Sequence, residues 1–371
     1  MPPDSPMRPT GATPAAPVRI AVIGAGLIGR THVRLAAAEP ACDLVAIVDP
    51  APEAEALARQ VGASWYADVQ ALLAAEAIDG AIVAVPNALH LPVGRACAAA
   101  GVHMIVEKPV ADTVAAGLEL VEAAEAAGVR MLVGHHRRYD PAVQDARTIL
   151  QSGELGRLVA VSAIWSARKP DDYWKVGWRS EPGGGPILIN LIHDIDCLRY
   201  LCGEIAEVQA MASDAVRGHR VEDSAAILFR FESGALGSIV LSDAAVSPWN
   251  WEGGTNDNPG VAWSGENSYR FMGTHASLEF PNLAVWSHAP GGPDDWGRPL
   301  VVRPQGVGPR GAHAAQLRHF CAVIRGDETP RIDGRDGLAT LAAAMAVHEA
   351  VATGKPAVPA SVGATSPRHH G

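Results

Sequence analysis

The sequence predicts an α/β protein: a doubly wound parallel sheet followed by a second α/β unit built on a mostly antiparallel sheet. Three observations predict it. Short apolar runs alternate with Ala-rich helical runs across residues 18–137. A glycine-rich hexapeptide, "GAGLIG", directly follows the first apolar run. After about residue 150 the texture changes to closely spaced strand patterns, and eight of the nine tryptophans lie in that half.

The elements follow in order. "VRIAVIG" is an apolar run ending in glycine, the pattern of a buried parallel strand. "RTHVRLAAAEP" is a helix stopped by Pro40, and "DLVAIVD" (43–49) is the second strand. "APEAEALARQVG" and "DVQALLAAEAI" are helices, and "GAIVAVP" (80–86) is a strand. "LPVGRACAAAG" is a helix with a glycine stop, and "VHMIVEKP" (102–109) is a strand ending in a polar triplet. Asp112 is placed to cap the helix "TVAAGLELVEAAEAAG", and "VRMLVGHH" is the next strand. The second half reads as seven strands: "LVAVSAIWSAR", "EIAEVQAMASD", "DSAAILFRFE", "ALGSIVLSD", "SYRFMG", "ASLEFP" and "LAVWSH". A helix containing His193 interrupts them after the first, and two helices close the chain at 312–326 and 334–354. The expected division is a leader at 1–17, a nucleotide-binding domain at 18–137, a substrate-binding and oligomerisation domain at 138–360, and a tail at 361–371.

Composition removes several function classes. A net charge of −10 without a basic run argues against a nucleic-acid footprint. The chain lacks an eighteen-residue apolar stretch, so no membrane span is expected. Five scattered cysteines without a Cys-x-x-Cys pair read as reduced thiols of a cytoplasmic protein. The Pro- and Ala-rich first residues lack the apolar core of a signal peptide and are read, with the last residues, as disordered ends.

The hexapeptide carries the first chemistry. Gly24, Gly26 and Gly29 stand between a strand and a helix, with Leu27 and Ile28 between the last two. That is the context of a dinucleotide-binding turn: a tight bend, close approach of a pyrophosphate, and close helix–strand packing. Asp49 ends the second strand 20 residues after Gly29. A carboxylate there accepts hydrogen bonds from ribose hydroxyls and repels a 2′-phosphate, which favours NAD over NADP. "VPNALH" (85–90) and "EKP" (107–109) lie at the carboxyl ends of sheet strands, where such folds bind ligands.

Taken together, "VRIAVIGAGLIGRTH", "VPNALHLPVGRACAAAGVHMIVEKPVA", "GHHRRYDP", "GELGRLVAV" and "GGGPILINLIHDIDCLRYLCG" resemble the Gfo/Idh/MocA oxidoreductases, the glucose–fructose oxidoreductase and inositol dehydrogenase family. The resemblance runs from about Val18 to the C-terminal helices. It implies a Rossmann domain, then an α/β domain with a large open sheet whose face makes subunit contacts in a homodimer or homotetramer. It implies oxidation or reduction of sugars, inositols and related polyols with NAD(P). By resemblance, Lys108 is the active-site lysine, His193 is the catalytic histidine, and Pro86, Asn87, His90 and Glu107 line the cofactor with Lys108. Many members carry an aspartate four residues before the histidine; here Ile189 stands there, followed by Asn190.

Carbinol oxidation needs a base for the hydroxyl proton and positive charge beside the developing alkoxide. Histidine suits the first task and a cationic Lys108 the second. On a regular helix Asn190, His193, Asp194 and Cys197 share one stripe, and Ile189, His193 and Asp196 the adjacent one. Asn190 and Asp194 are therefore the candidate supports of His193, which lacks the usual carboxylate and is expected to be less basic. Asp194 is equally readable as half of a structural ion pair. Asp196 reads as structural, with Arg199 or Arg179 as partner. Tyr173, Trp174, Lys175, Trp178 and Arg179 form a candidate substrate wall, aromatic faces meeting sugar C–H faces and cations meeting hydroxyls or a carboxylate. The loop "SPWNWEGGTNDNPG" (247–260) stays open between a second wall and interdomain packing. His135 and His136 read as core histidines. No metal is expected: His193, Asp194 and Asp196, even with His135, lack the paired histidines of a zinc helix. The leading function is an NAD-dependent dehydrogenase of a small polyol, sugar or sugar acid. The alternatives are glycoside cleavage by transient oxidation with held NAD, and a ligand-sensing regulator on the same fold. The regulator reading predicts loss of Lys108 and His193, and both are present.

Overall fold

The computed structural model describes residues 16–289, 291, 295–304 and 311–363. Most of the expected leader and tail lies outside these residues.

The first sheet has six parallel strands: β1 (Val18–Ile23), β2 (Cys42–Val48), β3 (Ser64–Tyr66), β4 (Gly80–Val83), β5 (His103–Val106) and β6 (Met131–Val133). Their order is β3-β2-β1-β4-β5-β6, with the direction of winding changing at β1, where ligands bind in doubly wound sheets. The connecting helices are α1 (Leu27–Ala38), α2 (Pro52–Val61), α3 (Val69–Ala75), α4 (His90–Ala99) and α5 (Val114–Ala126). β3 is a three-residue strand that the sequence reading missed, being too short to show a period. The cap of α5 is Thr113 rather than Asp112; its hydroxyl accepts the Ala116 N–H at 3.1 Å.

After β6 come α6 (Pro141–Gln151), β7 (Leu158–Ser166), a π-turn (Ile187–Leu191) and α7 (Ile192–Cys202). The remaining strands are β8 (Ile205–Ser213), β9 (Ser224–Phe231), β10 (Leu236–Ser242), β11 (Tyr269–Gly273), β12 (Ala276–Phe280), β13 (Val285–His288) and β14 (Leu300–Arg303). The short α8 (Trp251–Thr255) lies between β10 and β11, and α9 (Ala312–Arg325) and α10 (Gly334–Thr353) close the fold. All seven expected strands form, with β14 added, in the order β14-β13-β12-β11-β7-β10-β9-β8. Among the described pairings of this second sheet only β7–β10 is parallel.

Alternation explains which face is covered. Along β9, Ala225, Ile227, Phe229 and Phe231 are buried against α7 and α10, while Leu228 points outward and is half exposed. Leu236, Val240 and Met272 add to the same uncovered face. The two last helices tie the halves together. Leu317, Phe320 and Cys321 of α9 join Ile20 and Val22 in the core of the first sheet. On α10, a Cβ at Gly337 would fall 2.3 Å from Val133 Cγ2, so only glycine allows this approach to β6. Among the described residues no helix is long and apolar enough to cross a membrane.

Candidate active site

The glycine-rich turn has the shape a dinucleotide requires. Gly24 has φ 99°, and a Cβ there would sit 2.4 Å from Ala84 O. A Cβ on Gly29 would fall 1.9 Å from Gly24 O, so α1 can lie this close to β1 only without a side chain. Gly26 faces open space and stands at the N-terminus of α1, where a phosphate meets unpaired N–H groups. Asp49 accepts the Ala25 N–H at 2.7 Å on Oδ2 and the Ala51 N–H at 2.8 Å on Oδ1, which fixes its carboxylate beside the turn. These residues fit the diphosphate and ribose of NAD. Leu27, Pro86 and Asn87 are exposed at the crevice rim and Ile28 is half-buried. His90 is placed differently from the expectation. It is fully buried, and its ring nitrogens lie 2.9 Å from Pro109 O and Val85 O, so it clamps two loops from behind.

Glu107 and Lys108 follow β5. Glu107 is buried with its Oε1 2.7 Å from His32 Nε2. Burial pushes its carboxyl up, but the His32 hydrogen bond and nearby positive charge outweigh burial and hold it at about 2. Lys108 Nζ donates to Ile189 O at 3.1 Å, crossing from the nucleotide half to the π-turn. Burial brings its ammonium down to about 8, with Glu107 opposing the shift.

The π-turn changes the expected helix stripe. The five residues Ile187–Leu191 are underwound into a wider turn before the regular helix starts at Ile192. Asn190 is thereby directed to Lys169, whose Nζ donates to Asn190 Oδ1 at 2.8 Å and to Asp243 Oδ2 at 3.2 Å. Asp194 also turns away from His193. It accepts from Arg137 at 2.9 Å and from the Tyr269 hydroxyl, all three side chains being buried. Neither candidate support is hydrogen-bonded to His193, and His193 Nδ1 is buried with no partner among the described residues. Burial first, then the cations Lys108 and Arg137, push His193 well below its ordinary value. Asp196 is structural, but its partner is Arg138, at 2.7 and 2.9 Å, not Arg199 or Arg179.

What surrounds His193 is other histidines. His136 stands edge-on at 5.3 Å between ring centroids and His135 at 6.1 Å. His135 is the buried core residue expected; His136 is only partly buried, stacks on His313 at 3.8 Å and lies 3.3 Å from Asp257 Oδ2. The 247–260 loop supplies Asp257 and also Glu252, which accepts from Arg137 at 3.1 Å and from Trp165 at 2.9 Å. No periodic signal marks His313, Asp257 or Glu252, because they reach the site from segments far from the His193 helix in sequence.

The expected substrate wall divides. Lys169 lies 4.7 Å from the Tyr173 ring centre and 5.8 Å from that of Trp174, and the Arg179 guanidinium covers Tyr173 at 3.9 Å. Arg217 covers Trp174 at 4.8 Å and pairs with Asp243. Lys175 is instead exposed and paired with Asp172, and Trp178 is 57% exposed. Lys169 was missed because a single lysine after a strand carries no pattern. A separate cleft of about 1060 Å³, lined by residues such as Arg147, Thr148, Glu328 and Arg335, holds neither Lys108 nor His193.

Comparison with known proteins agrees with this geometry. The model of an oxidoreductase family with an NAD-binding Rossmann fold matches residues 18–135, and that of the GFO/IDH/MocA C-terminal domain matches residues 143–279. The chain is 29% identical over 347 residues to 1,5-anhydro-D-fructose reductase of Ensifer adhaerens, covering 91% of this chain and 98% of that protein. It is 28% identical over 349 residues to the NAD(+)-dependent scyllo-inositol 2-dehydrogenase of Bacillus subtilis, covering 91% and 95%. In fold it is similar to the WlbA dehydrogenase of Bordetella pertussis, solved with NADH and UDP-GlcNAcA, with TM-score 0.75, 24% identity and coverage of 93% and 99%. With both halves matched in order and the cofactor turn and the polar triplet in place, the chain belongs to the GFO/IDH/MocA family of NAD-binding oxidoreductases.

Proposed function

We propose that this protein is an NAD-dependent dehydrogenase of a cyclic polyol, sugar or sugar acid, with Lys108 and His193 at the reacting hydroxyl. The observation that carries the reading is the convergence of Lys108, held by Ile189 O, with a buried His193 on the helix that follows the same π-turn. The relatives named above act, by their names, on an anhydrohexose and an inositol, which fits a polyhydroxylated ring here.

When bound, the nicotinamide accepts or returns the hydride. His193 is neutral and takes up the hydroxyl proton on oxidation, returning it on reduction. Protonated Lys108 offers positive charge to the developing alkoxide, in a setting from which burial removes competing water. Tyr173, Trp174 and Lys169 stand at the substrate side, apolar faces for C–H groups and an ammonium for a hydroxyl or carboxylate. Glu107 keeps its charge through His32 and anchors the Lys108 backbone N–H at 3.1 Å.

The apolar outer face of β9 and β10 is the proposed homo-oligomer interface. The five thiols are free and buried, consistent with a reducing cytoplasm. A panel of inositols, sugars and sugar acids, each with NAD and with NADP and followed at the absorbance of the reduced cofactor, tests the reading. Net NADH formation with at least one polyol is expected. Bond cleavage of a glycoside without net NADH would replace this reading with the oxidation–elimination–reduction one.

A further inference from the structure

Four of the carboxylates around His193 are each paired with a fixed cation. Asp194 has Arg137, Asp196 has Arg138, Asp243 has Lys169 and Arg217, and Glu252 has Arg137. Asp257 is different. Among the described residues its side-chain partners are His136 and the Trp251 indole N–H, both at 3.3 Å, and no lysine or arginine pairs with it. A largely buried carboxylate, its side chain 11% exposed, that faces an imidazole and an indole instead of a lysine or arginine leaves its charge to be met by an added cation.

The ligand set is present. His136 comes from the turn after β6, Asp257 from the loop after α8, and His313 from the first turn of α9. One ligand atom from each lies within 4.8 Å of the others. His136 Nε2 and Asp257 Oδ2 are 3.3 Å apart, which is about the edge of a tetrahedron with bonds of about 2.0–2.1 Å. The His313 ring is stacked on His136 with 17° between planes, so it must tilt to aim its nitrogen at that edge. Among the described residues this ring makes no hydrogen bond that would hold it back. The Trp251 indole N–H donates to the same Asp257 oxygen, Oδ2, at 3.3 Å and fixes the direction of the carboxylate.

We propose that His136, Asp257 and His313 bind one divalent transition-metal ion of the Zn²⁺ type, contrary to the sequence expectation of no metal. Two imidazoles with one carboxylate suit Zn²⁺, Co²⁺ or Ni²⁺, whereas Mg²⁺ and Ca²⁺ prefer oxygen donors throughout. Three protein ligands leave at least one position for a water or a hydroxyl oxygen. The site adjoins His193, whose ring is 5.3 Å from that of His136. An ion here stands within reach of the polyhydroxylated substrate without being one of the groups assigned to proton transfer.

The test uses metal-stripped full-length protein titrated with Co²⁺, read by visible d–d absorption and by metal analysis after desalting. His369 and His370 stand side by side in the sequence, so His369→Ala and His370→Ala are built into the background to remove a competing ligand. One equivalent of Co²⁺ with tetrahedral-type absorption, displaced by Zn²⁺, is the expected result. His313→Ala is expected to weaken binding by about 100-fold or more, with Asp257→Asn as a second, near-isosteric variant. Circular dichroism and NADH fluorescence check that both variants fold. Absence of saturable Co²⁺ binding, or binding that both folded variants retain, overturns the proposal. No turnover is measured, so failure here leaves the dehydrogenase reading standing.

Discussion

Lys108 and Ile189 join the two halves of the active site through one hydrogen bond, from the lysine Nζ to a main-chain carbonyl at 3.1 Å. The acceptor lies in a π-turn, where the widened backbone presents its carbonyls irregularly. Lys108, the lysine proposed to meet substrate, is thus held by the π-turn that leads into the helix of His193, and its burial has a consequence for pH. Burial disfavours the ammonium and brings it from 10.5 to about 8. The cation that supports the alkoxide is complete below that pH and is lost as pH rises through it. Polyol oxidation is therefore expected to show an alkaline limb in kcat/KM near pH 8. A profile flat to pH 10 would contradict the assignment.

Asp49 is expected to set the preference for NAD. Its two oxygens are held by Ala25 and Ala51 N–H groups beside the glycine turn. Asp49→Ala removes a charged acceptor worth about 1.5–3 kcal/mol. NADH affinity measured by fluorescence should fall about 10- to 100-fold, while NADPH affinity holds or rises. Equal losses for both cofactors would show that the residue does not discriminate.

Asp194 is expected to support the fold rather than the proton transfer. Among the described residues, its removal leaves Arg137 buried with only Glu252 as a charged partner and Tyr269 without its acceptor. Asp194→Ala is expected to cost about 3–5 kcal/mol in denaturant unfolding. A variant as stable as the parent, with altered turnover, would return Asp194 to the chemistry.

Lys169 is expected to act in binding. Lys169→Met keeps the length of the side chain, removes its charge, and leaves Asp243 with Arg217. KM for the preferred substrate should rise about 10-fold or more, with kcat changed less. An unchanged KM would place the substrate elsewhere.

The sequence carried the fold well where periodicity is strong. Seven strands of the second sheet and the glycine turn with Asp49 were legible, because alternation and glycine spacing are local signals. The three-residue β3 was too short to register. Errors at the site share one physical origin. The stripe of Asn190, His193 and Asp194 assumed a regular helix, and the π-turn rotates Asn190 to Lys169. Asp194 is open between two roles in the sequence, and the partner that bears on the choice, Arg137, is 57 residues away. His136, Asp257 and His313 meet only through long-range packing, which no local pattern records.

The central claim is that Lys108 and His193 perform the proton and charge work of carbinol oxidation. Its most direct test is single-turnover NADH formation on the best polyol of the panel, comparing the parent with Lys108→Met and His193→Ala. Each variant should keep NADH binding and lose about 10²–10⁴ in the rate of the chemical step. A wild-type rate in either variant would contradict the account.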